Sequence, residues 1–111
     1  MTIDIQKLAA SATITIHIRP EDESPNAQLE GDALRWVENQ LDNGNPWAWC
    51  DVEIRAEYIG IQGHAYLGAC AYESEDAFKA GGYFEQLCTE ALDDLATRLG
   101  EIDAALSEVR S

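Results

Sequence analysis

Residues 47–72, WAWCDVEIRAEYIGIQGHAYLGACAY, read as two long strands joined by a turn, and their reading decides the fold. In the first half Cys50, Val52, Ile54, Ala56 and Tyr58 share one parity, while Asp51, Glu53, Arg55 and Glu57 share the other. Successive Cβ atoms of a strand point to opposite sheet faces, so this period of two marks a half-buried strand. Gly60 ends the alternation as a bulge or bend, and Gln62-Gly63 offers the left-handed residue that a tight turn needs.

The second strand, Ala65 to Tyr72, carries no charge, as a central strand or one covered by a partner does, and it is expected in the middle of the sheet. Its two sets are Ala65, Leu67, Ala69 and Ala71 on one face, and Tyr66, Gly68, Cys70 and Tyr72 on the other. Trp47 and Trp49 have the parity of Asp51 and Glu53. A strand running straight through puts both indoles on the polar face, with Tyr66 and Tyr72 beside them. That is an aromatic patch rimmed by carboxylates, the composition of a protein-binding hot spot. The competing reading is that a helix covers the rings, as large aromatics are mostly buried.

Outward from this hairpin, Ser11–Arg19 (SATITIHIR) alternates β-branched residues with polar ones, and Pro20 stops it as a strand. The first ten residues favour a short helix after Thr2, with Ile3, Ile5 and Leu8 apolar. Ser24-Pro25 offers an N-cap and first-turn proline for a helix toward Asp42, which alternatively begins at Gly31 or Asp32. Ala33, Leu34, Val37 and Leu41 form its stripe, and Asn43-Gly44-Asn45-Pro46 ends it. Ser74 caps a one-turn helix through Lys79. From Tyr83, apolar residues recur at three- and four-residue steps through Leu87, Ala91, Leu95, Leu99, Ile102 and Leu106, the stripe of a long helix that Gly100 kinks or divides. The expected fold is therefore α+β over residues 1–111 as a single acidic domain. It has a three-stranded, mainly antiparallel sheet, two main helices on one face, and the order (α)-β-α-β-β-α.

The 21 acids against 7 bases give a net charge of −14. This opposes direct contact with nucleic acid or anionic lipid, whose phosphates call for Lys and Arg, and suits a basic protein surface. Three cysteines exclude a full disulfide framework, and no apolar run is long enough to span a bilayer, which points to a reducing cytoplasm.

Chemistry-bearing motifs are weak. His17, His64, Cys50, Cys70 and Cys88 include no closely spaced pair of the kind zinc sites use, so no metal or other cofactor is expected. A Cys50 or Cys70 thiolate paired with His64 has nothing local to activate it, and surrounding acids raise a thiol pKa. Glu21-Asp22-Glu23 lacks the glycine and spacing of a calcium loop, and Gly81-Gly82 lacks the Lys-Ser/Thr of a phosphate loop. The reading is a binding protein rather than an enzyme.

The segments NGNPWAWCDVEIRAEY, AYLGACAYESEDAF and GGYFEQLCTEALDDLA, with MTIDIQKLAASATITIHIRPED, resemble a group of small acidic uncharacterised proteins encoded by phages and prophages. The resemblance implies a mobile-element origin and residence in the cytoplasm of an infected or lysogenic cell. Acidic proteins of that origin include inhibitors of host defence, among them anti-CRISPR and anti-restriction DNA mimics. The expected partner is then a host protein with a basic surface, met through Trp47, Trp49, Asp51, Glu53 and Glu57 with Tyr66 and Tyr72 in support. The alternatives are an accessory virion protein that homodimerises through its sheet face, and an unrecognised small enzyme or metal protein.

Overall fold

The computed structural model describes residues 4–110. Its elements are α1 (Ile5–Ser11), β1 (Thr13–Pro20), α2 (Gly31–Asp42), β2 (Cys50–Tyr58), β3 (Ile61–Cys70), α3 (Glu75–Ala80) and α4 (Gly82–Arg110). Single 3-10 turns lie at Pro25–Ala27 and Pro46–Ala48. The fold is α+β, with one antiparallel sheet in the strand order β1-β2-β3 and the chain order the alternation predicts. The uncharged strand β3, expected in the middle of the sheet, is an edge strand, and the central place belongs to β2. Thr2 and Ile3, expected in the first helix, lie outside the described residues; Asp4 caps that helix by accepting from the amides of Gln6 and Lys7.

β2 is the strand its pattern describes. Cys50, Val52, Ile54 and Ala56 are buried, while Asp51, Glu53 and Arg55 are half-buried and Glu57 is exposed. The turn that follows differs from expectation. Ile59 and Gly60, at φ 48° and 80°, form a two-residue turn, and Gln62-Gly63 lie inside β3. Two consecutive left-handed residues match the right-handed strand twist of a tight hairpin. The cost falls on Ile59: a β-branched side chain in this conformation is strained by about 1–2 kcal/mol.

Gly63 is a glycine for another reason. A Cβ there would stand 2.3 Å from Ala91 O and from Leu95 N, so α4 lies directly on the β3 backbone. β3 also changes face. Gly63 and Ala65 are buried, but so is Cys70, of opposite parity. Ala69, at φ 53°, resets the alternation as a bulge does, so the expected grouping of Cys70 with Tyr66 and Gly68 is corrected.

The chain forms two compact units: the described residues up to Ile16 with 54–65 and those from Gln86 on, and residues 17–53 with 66–85. In the first, Leu8, Ile54, Ala65, Leu87, Ala91 and Leu95 are buried. In the second, Val37, Trp49, Cys50, Val52, Cys70 and Phe78 are buried. Phe78, wholly inaccessible, contributes roughly 1.5–3 kcal/mol by burial.

Ser74 caps α3, its hydroxyl accepting from Ala77 N at 3.1 Å. Ser24-Pro25 starts only a 3-10 turn; α2 begins at Gly31, whose φ of 65° is one a right-handed helix cannot pass through. At the other end of α2, Asn43 N donates to Asn39 O and Gly44 N to Leu41 O, both at 3.0 Å. α4 runs unbroken through Gly100 for 29 residues.

Candidate functional site

The second unit brings Glu21, which follows β1, together with Asp51 of β2. β1 ends at Pro20, which sets Glu21 beside the start of β2. There Glu21 Oε2 and Asp51 Oδ1 both accept the backbone N–H of Ala69, at 3.0 and 3.3 Å. Arg19 Nε donates to Asp51 Oδ2 at 3.3 Å. Asp51 is held below the usual carboxylate range, first by its hydrogen bond with the Glu21 carboxyl, then by the Ala69 N–H and Arg19. Ala69 has a left-handed backbone, and its N–H meets both carboxyls. Gly68 lies beside them, where an added Cβ would be in ordinary van der Waals contact with Asp51 Oδ1 at 3.4 Å.

The two-residue turn fixes the pairing of β2 with β3, placing Glu53 opposite Tyr66 and Asp51 opposite Gly68. Tyr66 is 68% exposed. It therefore stands as an aromatic ring on the polar face of the sheet with carboxylates beside it. Glu57 belongs to the first unit; it is exposed and accepts from Gln62 Nε2 at 3.1 Å.

The expected pair of indoles on that face is corrected. β2 begins only at Cys50, and the 3-10 turn from Pro46 rotates the preceding residues out of register with it. Trp49 is 5% exposed, and its Nε1 donates to Glu23 O at 2.7 Å, pinning the acidic loop. Trp47 is half-buried, with its ring 5.5 Å from Phe78. Tyr72, also half-buried, meets the same ring edge-on at 5.2 Å. Of the seven residues singled out from the sequence, Asp51, Glu53 and Tyr66 come together on the exposed face. Trp47 and Tyr72 join a core cluster around Phe78. Glu21 completes the site and was read only as part of a solvated loop; its partners lie 30 and 48 residues away, so no local signal marks it.

Burial pushes the Cys50 thiol up to about 12, with Cys70, Asp51 and Glu21 adding to the shift. Cys70 is raised to about 11, again by burial first and then by Asp51 and Glu21. Both thiols are protonated at neutral pH and act as small apolar packing groups. Among the described residues no group of three or more His, Cys, Asp or Glu is placed to hold a metal ion, and no helix is long and apolar enough to cross a membrane.

Charge is unevenly divided. The second unit holds thirteen acids and three bases, a net −10, against eight acids and four bases, a net −4, in the first. No protein-family model matches the chain, and no curated protein or solved structure is significantly similar to it.

Proposed function

We propose that this protein is a binding module whose second unit engages a cationic protein surface, in the manner of inhibitors that occupy a groove built for nucleic acid. The observation that carries the reading is the exposed Tyr66 ring, opposite Glu53 on the sheet face that also carries Asp51, in a unit of net charge −10. An exposed aromatic supplies contact area, and surrounding carboxylates supply steering and fast, salt-sensitive association. The resemblance to phage-encoded proteins supports one class of partner, a nucleic-acid-binding subunit of a host defence complex in the cytoplasm of the infected or lysogenic cell.

The test is capture of partners from host lysate by tagged protein at low and high salt, followed by binding measurements on whatever is captured. A basic nucleic-acid-binding protein released at high salt is the expected result. Tyr66→Ala and Glu53→Lys should each weaken that complex by about tenfold or more. Glu53→Lys should also flatten its salt dependence. Unchanged affinity in both would remove the sheet face from consideration, and a partner that binds equally at both salt concentrations would remove the electrostatic mechanism.

A further inference from the structure

The first unit holds an open apolar groove of about 460 Å³, lined by Leu8 of α1, Tyr58 and Ile59 at the tip of the hairpin, and Leu99, Ile102 and Leu106 of α4. Three features of it converge. The α4 stripe continues in alternating three- and four-residue steps through Leu92, Leu95, Leu99, Ile102, Leu106 and Val109, the spacing of a helix–helix seam. Its near end is filled from within, since Leu95 is fully buried. Its far end opens progressively, Ile102 being 41%, Leu106 46% and Val109 83% exposed.

The second feature is Ile59. It is 75% exposed in a left-handed conformation that Asn, Asp or Gly adopts at little cost. So exposed an isoleucine gains little burial inside its own chain to offset that strain. Strain kept in a side chain that faces solvent points to contact outside the chain.

The third feature is charge. The groove is bordered by both signs, Lys7 with Asp4 and Asp103, and the exposed side of α4 adds Arg98 and Glu101. With eight acids to four bases, the first unit is where two copies of this chain repel each other least. A mixed border is also self-complementary under a two-fold rotation, as an isologous contact must be.

We propose that the groove receives a second copy of the chain. Two α4 ends cross antiparallel about a two-fold axis, Leu106 and Val109 of each copy enter the groove of the other, and Ile59 closes over the contact. The antiparallel sense follows from Gly63. On the same side of α4, Ala91 and Leu95 are pressed against the β3 backbone, so a parallel partner would run into that strand. An antiparallel partner passes clear of it.

Sedimentation equilibrium of the full chain from about 1 to 100 µM tests this. A dimer that strengthens with added salt is expected, because screening relieves the repulsion between two copies of charge −14. The complex with a cationic partner responds to salt in the opposite sense, so success or failure of either idea leaves the other standing. Leu106→Glu should be monomeric with an unchanged far-ultraviolet spectrum. Ile59→Asn restores a favoured turn residue, so it should melt higher as a monomer while weakening the dimer by about tenfold or more. A wild-type monomer throughout the range overturns the proposal. So does a Leu106→Glu or Ile59→Asn variant that dimerises as the wild type does.

Discussion

Asp94 of α4 accepts the backbone N–H of His64, on β3, at 2.8 Å, and Arg98 Nε donates to the same oxygen at 3.1 Å. β3 is an edge of the sheet, and the N–H groups of an edge strand that face away from the neighbouring strand are a template for unwanted pairing. One of them is closed by a carboxylate reaching from the helix. The bond holds Asp94 below its usual pKa, first through the His64 amide and then through Arg98.

Asp94→Ala should therefore lower stability by about 1–3 kcal/mol, read from urea unfolding, because it removes the acceptor from a half-buried amide. Asp94→Asn keeps an acceptor and isolates the charge. The native carboxyl titrates below its unfolded value, near 3.9, so its stabilisation is fully present above that pH and is lost as pH falls through the native value. The wild type should exceed Asp94→Asn by a constant margin from about pH 7 to 5, and the margin should vanish in stronger acid.

Gly63→Ala should be among the most damaging single-methyl additions in the chain. The new Cβ meets backbone atoms of α4 at 2.3 Å, and backbone cannot rotate aside as a side chain can. A loss above about 3 kcal/mol is expected, or failure to fold. Gly100→Ala serves as the control. Nothing lies within 4 Å of its added Cβ, and in mid-helix it should stabilise by about 0.5–1 kcal/mol.

Trp49→Phe keeps an aromatic ring in the core and removes one donor. The Glu23 carbonyl then loses its partner at 2.7 Å, and a loss of about 1–2 kcal/mol in thermal or chemical unfolding is expected. A change inside experimental error would mean that the acidic loop is held by other contacts.

The three thiols should separate by accessibility. Cys50 and Cys70 are buried and protonated, whereas Cys88 is half-buried. At pH 8 a thiol reagent should modify one cysteine per native chain readily and the other two only with denaturant. Three equally fast thiols would contradict the burial of the paired strands.

What was legible in the sequence was what depends on neighbouring residues alone. The alternation of β2 and the stripe of α4 need no distant partner to be read, so both elements and the α+β order followed. The hairpin turn did not, because Gly60 and Gly63 look alike locally. Only the α4 backbone, about thirty residues on, distinguishes the glycine that turns from the glycine that is pressed upon. Trp49 has the right parity for the polar face, yet its strand starts one residue later, after a proline-led turn. The pairing of Glu21 with Asp51 over Ala69 is equally non-local, and a left-handed alanine inside a strand leaves no trace in composition.

The C-terminal cap of α2 also governs how the molecule ages. Asn-Gly is the dipeptide most prone to spontaneous deamidation, which begins when the glycine nitrogen attacks the asparagine side chain to close a succinimide ring. In Asn43-Gly44 that nitrogen is engaged with Leu41 O at 3.0 Å, so the ring cannot close while the helix end is intact. Each deamidated molecule gains a negative charge, and the slow appearance of a more acidic band on isoelectric focusing becomes a clock for fraying of the last turn of α2.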